Sequence, residues 1–462
     1  MHRDPQHFDA IVIGTGQAGP TLAVDLAKAG YKVAVFERNL FGGTCVNTGC
    51  MPTKTLVATA RVAHVVTHAA DYGIDTTAGT RIDMHKVKAR KDKVSTTASK
   101  GVEDFLRGTE GCSVFNEHAR FVDDHTVQAG DTLFTAPKIF INVGGRAAVP
   151  PIKGLDEISY LTNSSMMQLD FLPEHLAIVG GSYIALEFAQ MYRRFGSRVT
   201  LLQRGSQLVS REDADVASAM QGILENEGID IRLNVDQIAV AKSGQGIEIR
   251  FASTGTDTAI QATHMLIATG RQPNTDDLGV HNTSIKLDDD GYMAVDDQLR
   301  TTAPGIWALG DCNRRGAFTH TAYNDYEIVA ANLLHNDPRR VTDRYVAYAM
   351  FTDPPLARIG MTEAEVRRSG RKALIGTRSM QRVGRAVERG ETAGFIKILV
   401  DAESKHILGA SILGIEGDEA IHCILDVMYA QQPYTTLQRA VHIHPTVSEL
   451  IPTVLGDLKP LR

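Results

Sequence analysis

The segment DAIVIGTGQAGPTLAVDLAKAGYKVAVFERN places the tightest limit on how this chain can fold. A short apolar run ends at Gly14-x-Gly16-x-x-Gly19, an Ala/Leu-rich helical pattern follows, and the strand-like KVAVFE comes next. In such a strand-turn-helix-strand unit Gly14 permits the tight turn and Gly16 lets backbone approach a pyrophosphate. Gly19 lets helix and strand pack closely, with the helix N-terminus facing the phosphates. Glu37, 23 residues after Gly14, stands where a carboxylate would accept hydrogen bonds from ribose hydroxyls. The pattern then recurs in LAIVGGSYIALEFAQMYRRFGSRVTLLQRG, where Gly180-x-Ser182-x-x-Ala185 takes the place of the first triad and Gln203 repeats the offset of Glu37. A duplicated α/β unit, each copy able to hold a nucleotide, is the expected core of the fold.

The second copy carries a cofactor preference. Its acidic position is held by Gln203, followed by Arg204, so a neutral donor and a cation stand where a carboxylate would repel a 2'-phosphate. NADPH is therefore favoured over NADH, with Arg211 a weaker additional contact. Further on, HMLIATGRQPNTD predicts a strand ending at Ala268-Thr269-Gly270, and GIWALGDC one ending at Gly310-Asp311. A strand-terminal aspartate behind a dinucleotide fingerprint suits the ribityl or pyrophosphate part of a long cofactor, so FAD is expected in the first unit.

Only five cysteines occur among 462 residues, which excludes a disulfide-built scaffold, yet Cys45 and Cys50 lie five residues apart in GGTCVNTGCMPTK. Two thiols at this spacing suit attack on an oxidised substrate and resolution of the intermediate, with Lys54 as a nearby cation favouring thiolate and Glu187 as its anionic partner. No third or fourth ligand accompanies them, and none completes the pair His64 and His68, so no metal site is expected. Cys112, Cys312 and Cys423 read as isolated structural thiols. Near the C-terminus, VHIHPTVSE sets His444 and Glu449 around a Pro-Thr turn, residue types suited to proton exchange with a leaving thiol. His442 lacks an acid at that spacing and reads as structural. Lysine plus arginine number 48 against 54 acidic residues, which gives no electrostatic reason to expect nucleic acid or an acidic membrane. The polar start MHRDPQHF and the absence of about 18 successive apolar residues point to a cytoplasmic protein.

Taken together, GTGQAG, GGTCVNTGCMPTK, GGSYIALE, the Ala-Thr-Gly and Gly-Asp elements and HIHPTVSE resemble the class I pyridine nucleotide-disulfide oxidoreductases, which include glutathione reductase, dihydrolipoamide dehydrogenase and mercuric reductase. The resemblance covers essentially the whole chain. It implies an α/β fold of two Rossmann-like nucleotide-binding domains plus a C-terminal α+β dimerisation domain: FAD-binding residues 1–150, NAD(P)H-binding residues 151–270, a second FAD-binding part 271–335, and dimerisation residues 336–462. It further implies Cys50 as the charge-transfer thiol, Cys45 as the interchange thiol, Lys54 and Glu187 as the pair beside the flavin, and Tyr183 as an aromatic gate. His444 and Glu449 match an acid-base dyad contributed across a homodimer interface. The expected reaction carries electrons from NADPH through FAD and Cys45–Cys50 to a small disulfide or oxidant. A C-terminal cysteine pair of the kind used by mercuric reductases is missing, since the last cysteine is Cys423. Gln203 departs from the acid of NAD-dependent dihydrolipoamide dehydrogenases. These two enzymes remain as alternatives, and a non-enzymatic flavoprotein sensor as a more distant one.

Overall fold

The computed structural model describes residues 4–76, 81–253 and 255–462, so residues 1–3 of the polar start lie outside it. Its first unit is a five-stranded parallel sheet in the order Ile306–Ala308, Ile139–Ile141, Ala10–Ile13, Val33–Phe36, Cys112–Phe115. Every residue of Ala10–Ile13 and Val33–Phe36 is buried, as continuous apolar runs must be in a parallel sheet covered on both faces. Helix Gly19–Lys28 covers one face through Leu22, Ala23, Val24 and Leu26, and Pro20 sits in its first turn, where a missing N–H costs nothing.

Gly14 has φ +95°, and a Cβ on it would lie 2.4 Å from the carbonyl oxygen of Asn142. A Cβ on Gly19 would lie 2.4 Å from the Gly14 carbonyl, so the helix enters this close only without a side chain. Asn142 ties the turn together: its Oδ1 accepts from the Gly19 N–H at 3.0 Å and its Nδ2 donates to the Leu309 carbonyl at 3.0 Å.

The second unit repeats the plan in a four-stranded parallel sheet, ordered Asp230–Arg232, Arg198–Leu202, His175–Val179, His264–Ile267. Gly180, at φ +129° with its Cβ position 2.3 Å from the Ala268 carbonyl, reproduces the relation of Gly14 to Asn142. Chain exit and re-entry run side by side, because Gly145–Ala147 pairs antiparallel with Arg271–Pro273. The strand read to end at Gly270 stops at Ile267, and Gly270 adopts φ +142° in the turn that follows.

A six-stranded sheet carries the last quarter of the chain, in the order Ala347–Met350, Leu356–Gly360, Ile407–Leu413, Phe395–Asp401, Ala373–Ser379, Lys459–Pro460, and each of its pairings is antiparallel. After its strands Phe395–Asp401 and Ile407–Leu413 come two helices, Gly417–Ala420 and His422–Tyr429. The helix that begins at Cys50 ends at Thr67 and is followed by a 3₁₀ turn, Ala69–Tyr72. Among the described residues no helix is long and apolar enough to cross a membrane.

One packing contact matters most for the site. Helix Cys50–Thr67 lays Leu56 and Ala60 into the same buried cluster as Leu186 and Ala189 of helix Tyr183–Phe195. Burying a leucine contributes about 1.5–3 kcal/mol, so apolar packing holds the cysteine-bearing helix against the second nucleotide unit.

Candidate active site

Cys50 is the first residue of an 18-residue helix, Cys50–Thr67, and Cys45 lies in the short helix Gly43–Asn47 just before it. Both are free thiols on the wall of a cavity of about 1160 Å³. The Thr319 hydroxyl reaches both sulfurs, lying 2.9 Å from Cys45 Sγ and 3.3 Å from Cys50 Sγ. A hydroxyl has one proton and rotates freely, so it can donate to whichever sulfur is ionised.

That sulfur is Cys50. A hydrogen bond from Cys45 pulls its pKa down to about 6, and Thr319 and Lys54 add to the effect against the opposing cost of burial. Its place at a helix N-terminus acts in the same direction, because the unpaired N–H groups there carry partial positive charge. Cys45 moves the other way: its hydrogen bond to Cys50, burial and the neighbouring sulfur's charge all hold its proton on. The pair therefore gives up its first proton from Cys50, and Cys45 needs a base before it can act as a nucleophile.

Lys54 lies one turn along the same helix and donates to both carboxylate oxygens of Glu187, at 2.9 and 2.8 Å. Glu187 is buried, and Oε1 also accepts from the Phe351 N–H at 2.9 Å, so the anion is held from two domains. The Lys54 ammonium stands 4.7 Å from the centre of the Phe351 ring.

Of the residues picked out in the sequence, Gly14, Gly16, Glu37, Cys45, Cys50, Lys54, Tyr183, Glu187, Gly310 and Asp311 line this one cavity. Glu37 Oε2 accepts from the backbone N–H and hydroxyl of Thr15, at 3.0 and 2.6 Å, and Oε1 from the Asn39 N–H at 2.9 Å. A carboxylate has about four acceptor positions, so one remains for a ligand hydroxyl. Asp311 sits beside Arg271, with Oδ2 to Nη2 at 3.4 Å, and burial raises its pKa against the pull of that cation.

The others lie off the cavity wall. Gly19 packs behind it, against the Gly14 carbonyl. Gly180, Ser182, Ala185, Gln203, Arg204 and Gly270 belong to the second nucleotide unit, where Ser182 precedes helix Tyr183–Phe195 without a capping hydrogen bond from its side chain. Gln203 Nε2 donates to the Gln207 carbonyl at 3.2 Å, and Arg204 is exposed. His444 Nδ1 lies 3.1 and 2.9 Å from the two Glu449 oxygens, but the dyad is no part of this wall, and its imidazole is 79% exposed. Val441 and Ile443 flank it at 98% and 80% exposure, which leaves an apolar edge on the surface.

Sequence reading missed Thr319, Arg271 and Asn142. Thr319 lies 269 residues from Cys50 and belongs to no recognisable motif, so only the fold brings it to the sulfurs. Two buried atoms of the cavity-lining residues, Arg271 Nε and Asp277 Oδ1, have no hydrogen-bond partner. Buried polar atoms are seldom left unpaired, and a donor and an acceptor beside a glycine-lined turn fit the polar groups of a bound dinucleotide. Among the described residues no group of three or more His, Cys, Asp or Glu side chains is arranged to hold a metal ion.

Comparison with known proteins places this geometry in a family. Residues 8–325 match the family model of the pyridine nucleotide-disulphide oxidoreductases, and residues 346–455 match the model of their dimerisation domain. The chain is 36% identical over 460 residues to a probable pyridine nucleotide-disulfide oxidoreductase, RclA, of Escherichia coli strain K12, covering 98% of this chain and 99% of that protein. It is 30% identical to a mercuric reductase of Staphylococcus aureus, covering 94% of this chain and 81% of that protein. The solved Cu(II) complex of the HOCl-induced flavoprotein disulfide reductase RclA from E. coli superposes with a TM-score of 0.89 at 35% identity, covering 98% and 99% of the two chains. The chain therefore belongs to the class I pyridine nucleotide-disulfide oxidoreductases and is an FAD-dependent enzyme of the RclA-like branch, with an α/β nucleotide-binding region followed by a dimerisation domain.

Proposed function

We propose that this enzyme is a cytoplasmic homodimer that uses NADPH, through FAD and the Cys45–Cys50 pair, to reduce a small oxidant or disulfide. The carrying observation is the single cavity in which the two thiols, Thr319 and the Lys54–Glu187 pair meet residues of the first glycine turn. When bound, FAD supplies the two-electron link between the nicotinamide and the thiols. Gly14, Gly16, Glu37 and Asp311 would hold it, with Gly19 keeping the turn closed and Gly310 admitting Asp311. Gly180, Ser182, Ala185 and Gly270 would shape the second nucleotide site, where Gln203 and Arg204 favour a 2'-phosphate. Tyr183 would gate the passage between them. The proposed limits are residues 1–150 and 271–335 for FAD, 151–270 for NADPH and 336–462 for the subunit interface.

In the thiol step with a disulfide acceptor, Cys45 loses its proton to His444 of the partner subunit and attacks one acceptor sulfur. The acceptor S–S bond breaks, and the departing thiolate takes the proton back. Cys50, already ionised, attacks Cys45 Sγ, the Cys45–Cys50 bond forms, and the second acceptor thiolate leaves. Two electrons pass from the dithiol to the acceptor. Glu449 keeps the imidazole oriented, as the 2.9 Å contact to Nδ1 allows.

An oxidant acceptor is favoured because one similar solved structure is that of an HOCl-induced flavoprotein disulfide reductase. Dihydrolipoamide oxidation is disfavoured by Gln203. Parallel turnover assays with hypothiocyanous acid, glutathione disulfide, lipoamide and Hg(II), each with NADPH and NADH, test the proposal. Fast NADH-driven turnover of lipoamide alone would overturn it.

A further inference from the structure

Beside the thiols, the cavity wall carries an aromatic column whose far end is anchored in the second nucleotide unit. Phe318 stacks on Tyr348, with ring centres 5.5 Å apart and planes 8° from parallel, and on His320 at 5.4 Å and 10°. Tyr183 leans against the same ring at 6.0 Å. The next residue after Phe318 is Thr319, which touches both sulfurs.

The other end of the column is held by charge. The Tyr348 hydroxyl donates to Glu212 Oε1, and burial together with that carboxylate raises the phenol pKa, so the donor stays protonated. Glu212 Oε2 accepts from Arg358 Nε at 2.7 Å, both side chains at most 3% exposed. The neighbouring Asp213 takes Arg358 Nη2 at 3.2 Å and Lys397 Nζ at 3.0 Å. Breaking a buried pair of this kind leaves an uncompensated charge, so the anchor is stiff. Glu212 closes the segment that begins at Gln203 and Arg204 and includes Arg211, the residues assigned to the nucleotide phosphate.

We propose that Tyr348 and Glu212 are positioning residues for the thiol pair: they hold Phe318, and with it Thr319 against Cys45 and Cys50, so that the second nucleotide unit sets thiol reactivity. The proposal rests on reading Cys45 and Cys50 as the exchanging thiols. Tyr348 is uncharged, so replacing it leaves the charges facing Cys50, Lys54 and Glu187, in place. A change in thiol acidity would then report position rather than lost charge. The charged groups facing Tyr348 itself are Glu212, Arg358 and Arg211.

The test is the pH profile of iodoacetamide incorporation into the holoenzyme pre-reduced with dithiothreitol, with Cys45 and Cys50 resolved by peptide mass. In Tyr348→Ala the Cys50 midpoint should rise by about one unit, which is about tenfold less labelling on the acid side. Tyr348→Phe keeps the stack and loses only the bond to Glu212, so it should shift less. Glu212→Gln, which keeps a side chain of the same shape, should resemble it. Retained flavin content and far-ultraviolet circular dichroism identify folded variants, and the two conservative variants carry the test if Tyr348→Ala does not fold. A wild-type midpoint in all folded variants would overturn the proposal. Failure of the underlying reading looks different: Cys50→Ser would retain wild-type turnover.

Discussion

Replacing Thr319 by valine removes a hydroxyl that reaches both sulfurs while keeping a β-branched side chain of similar size at the first position of helix Thr319–Leu334. A hydrogen bond to an ionised group contributes about 1.5–3 kcal/mol, and one pKa unit corresponds to 1.36 kcal/mol, so losing it should raise the Cys50 pKa by roughly one to two units. The sign follows from donation to the thiolate, which favours the charged form; without it the proton is held more tightly. Cys50 starts from about 6, and the hydrogen bond from Cys45, the largest cause of the lowering, survives the substitution. The midpoint should therefore settle between the wild-type value and that of an ordinary thiol. Alkylation of the reduced enzyme across pH 5–9 reads this directly. In wild type the rate should climb through pH about 6, and in Thr319→Val the same climb should come about one unit later. An unchanged or lower midpoint would refute the assignment of the Thr319 hydroxyl as a thiolate donor.

Further expectations concern the rest of the machinery. Anaerobic reduction of wild type should produce a long-wavelength thiolate-to-flavin absorption that Cys50→Ser lacks and Cys45→Ser keeps; its absence in wild type would remove Cys50 from the flavin face. Arg204→Ala should lower kcat/KM for NADPH by about 10- to 100-fold, the equivalent of one charge-assisted contact, and leave NADH nearly unaffected; equal losses with both would place Arg204 elsewhere. Lys54→Met leaves the buried Glu187 carboxylate with the Phe351 N–H as its remaining donor among the described residues, so unfolding stability should fall by about 3 kcal/mol in urea titrations, the lower end for a broken buried pair because Lys54 is 31% exposed, and a neutral result would show the pair to be energetically idle. Mixing the inactive variants His444→Ala and Cys45→Ser should restore turnover in hybrid dimers, each with one complete site. No recovery would exclude a site shared between subunits.

How the fold was legible in the sequence can be read from particular residues. Gly14 and Gly180 announced their turns because positive φ and contacts of 2.3–2.4 Å admit only glycine, and Gly19 because a Cβ would lie 2.4 Å from the Gly14 carbonyl, a local constraint that leaves its mark on a single chain. The pairing of Lys54 with Glu187 was also inferred, since each sits at a defined offset from a motif. Helix ends after Thr67 and within residues 417–429 were not legible, because they depend on how the last sheet and the nucleotide units crowd those segments.

By itself, then, the sequence determined the two nucleotide units and the close spacing of Cys45 and Cys50, both of which follow from spacing along the chain. Tertiary structure alone decided which sulfur ionises first, because that depends on a helix terminus, a shared hydrogen bond and the Thr319 hydroxyl 269 residues away. It likewise decided that Glu212, Tyr348 and Phe318 stand in one column behind those sulfurs, since stacking and buried ion pairs join residues by distance in space and leave no period in the chain.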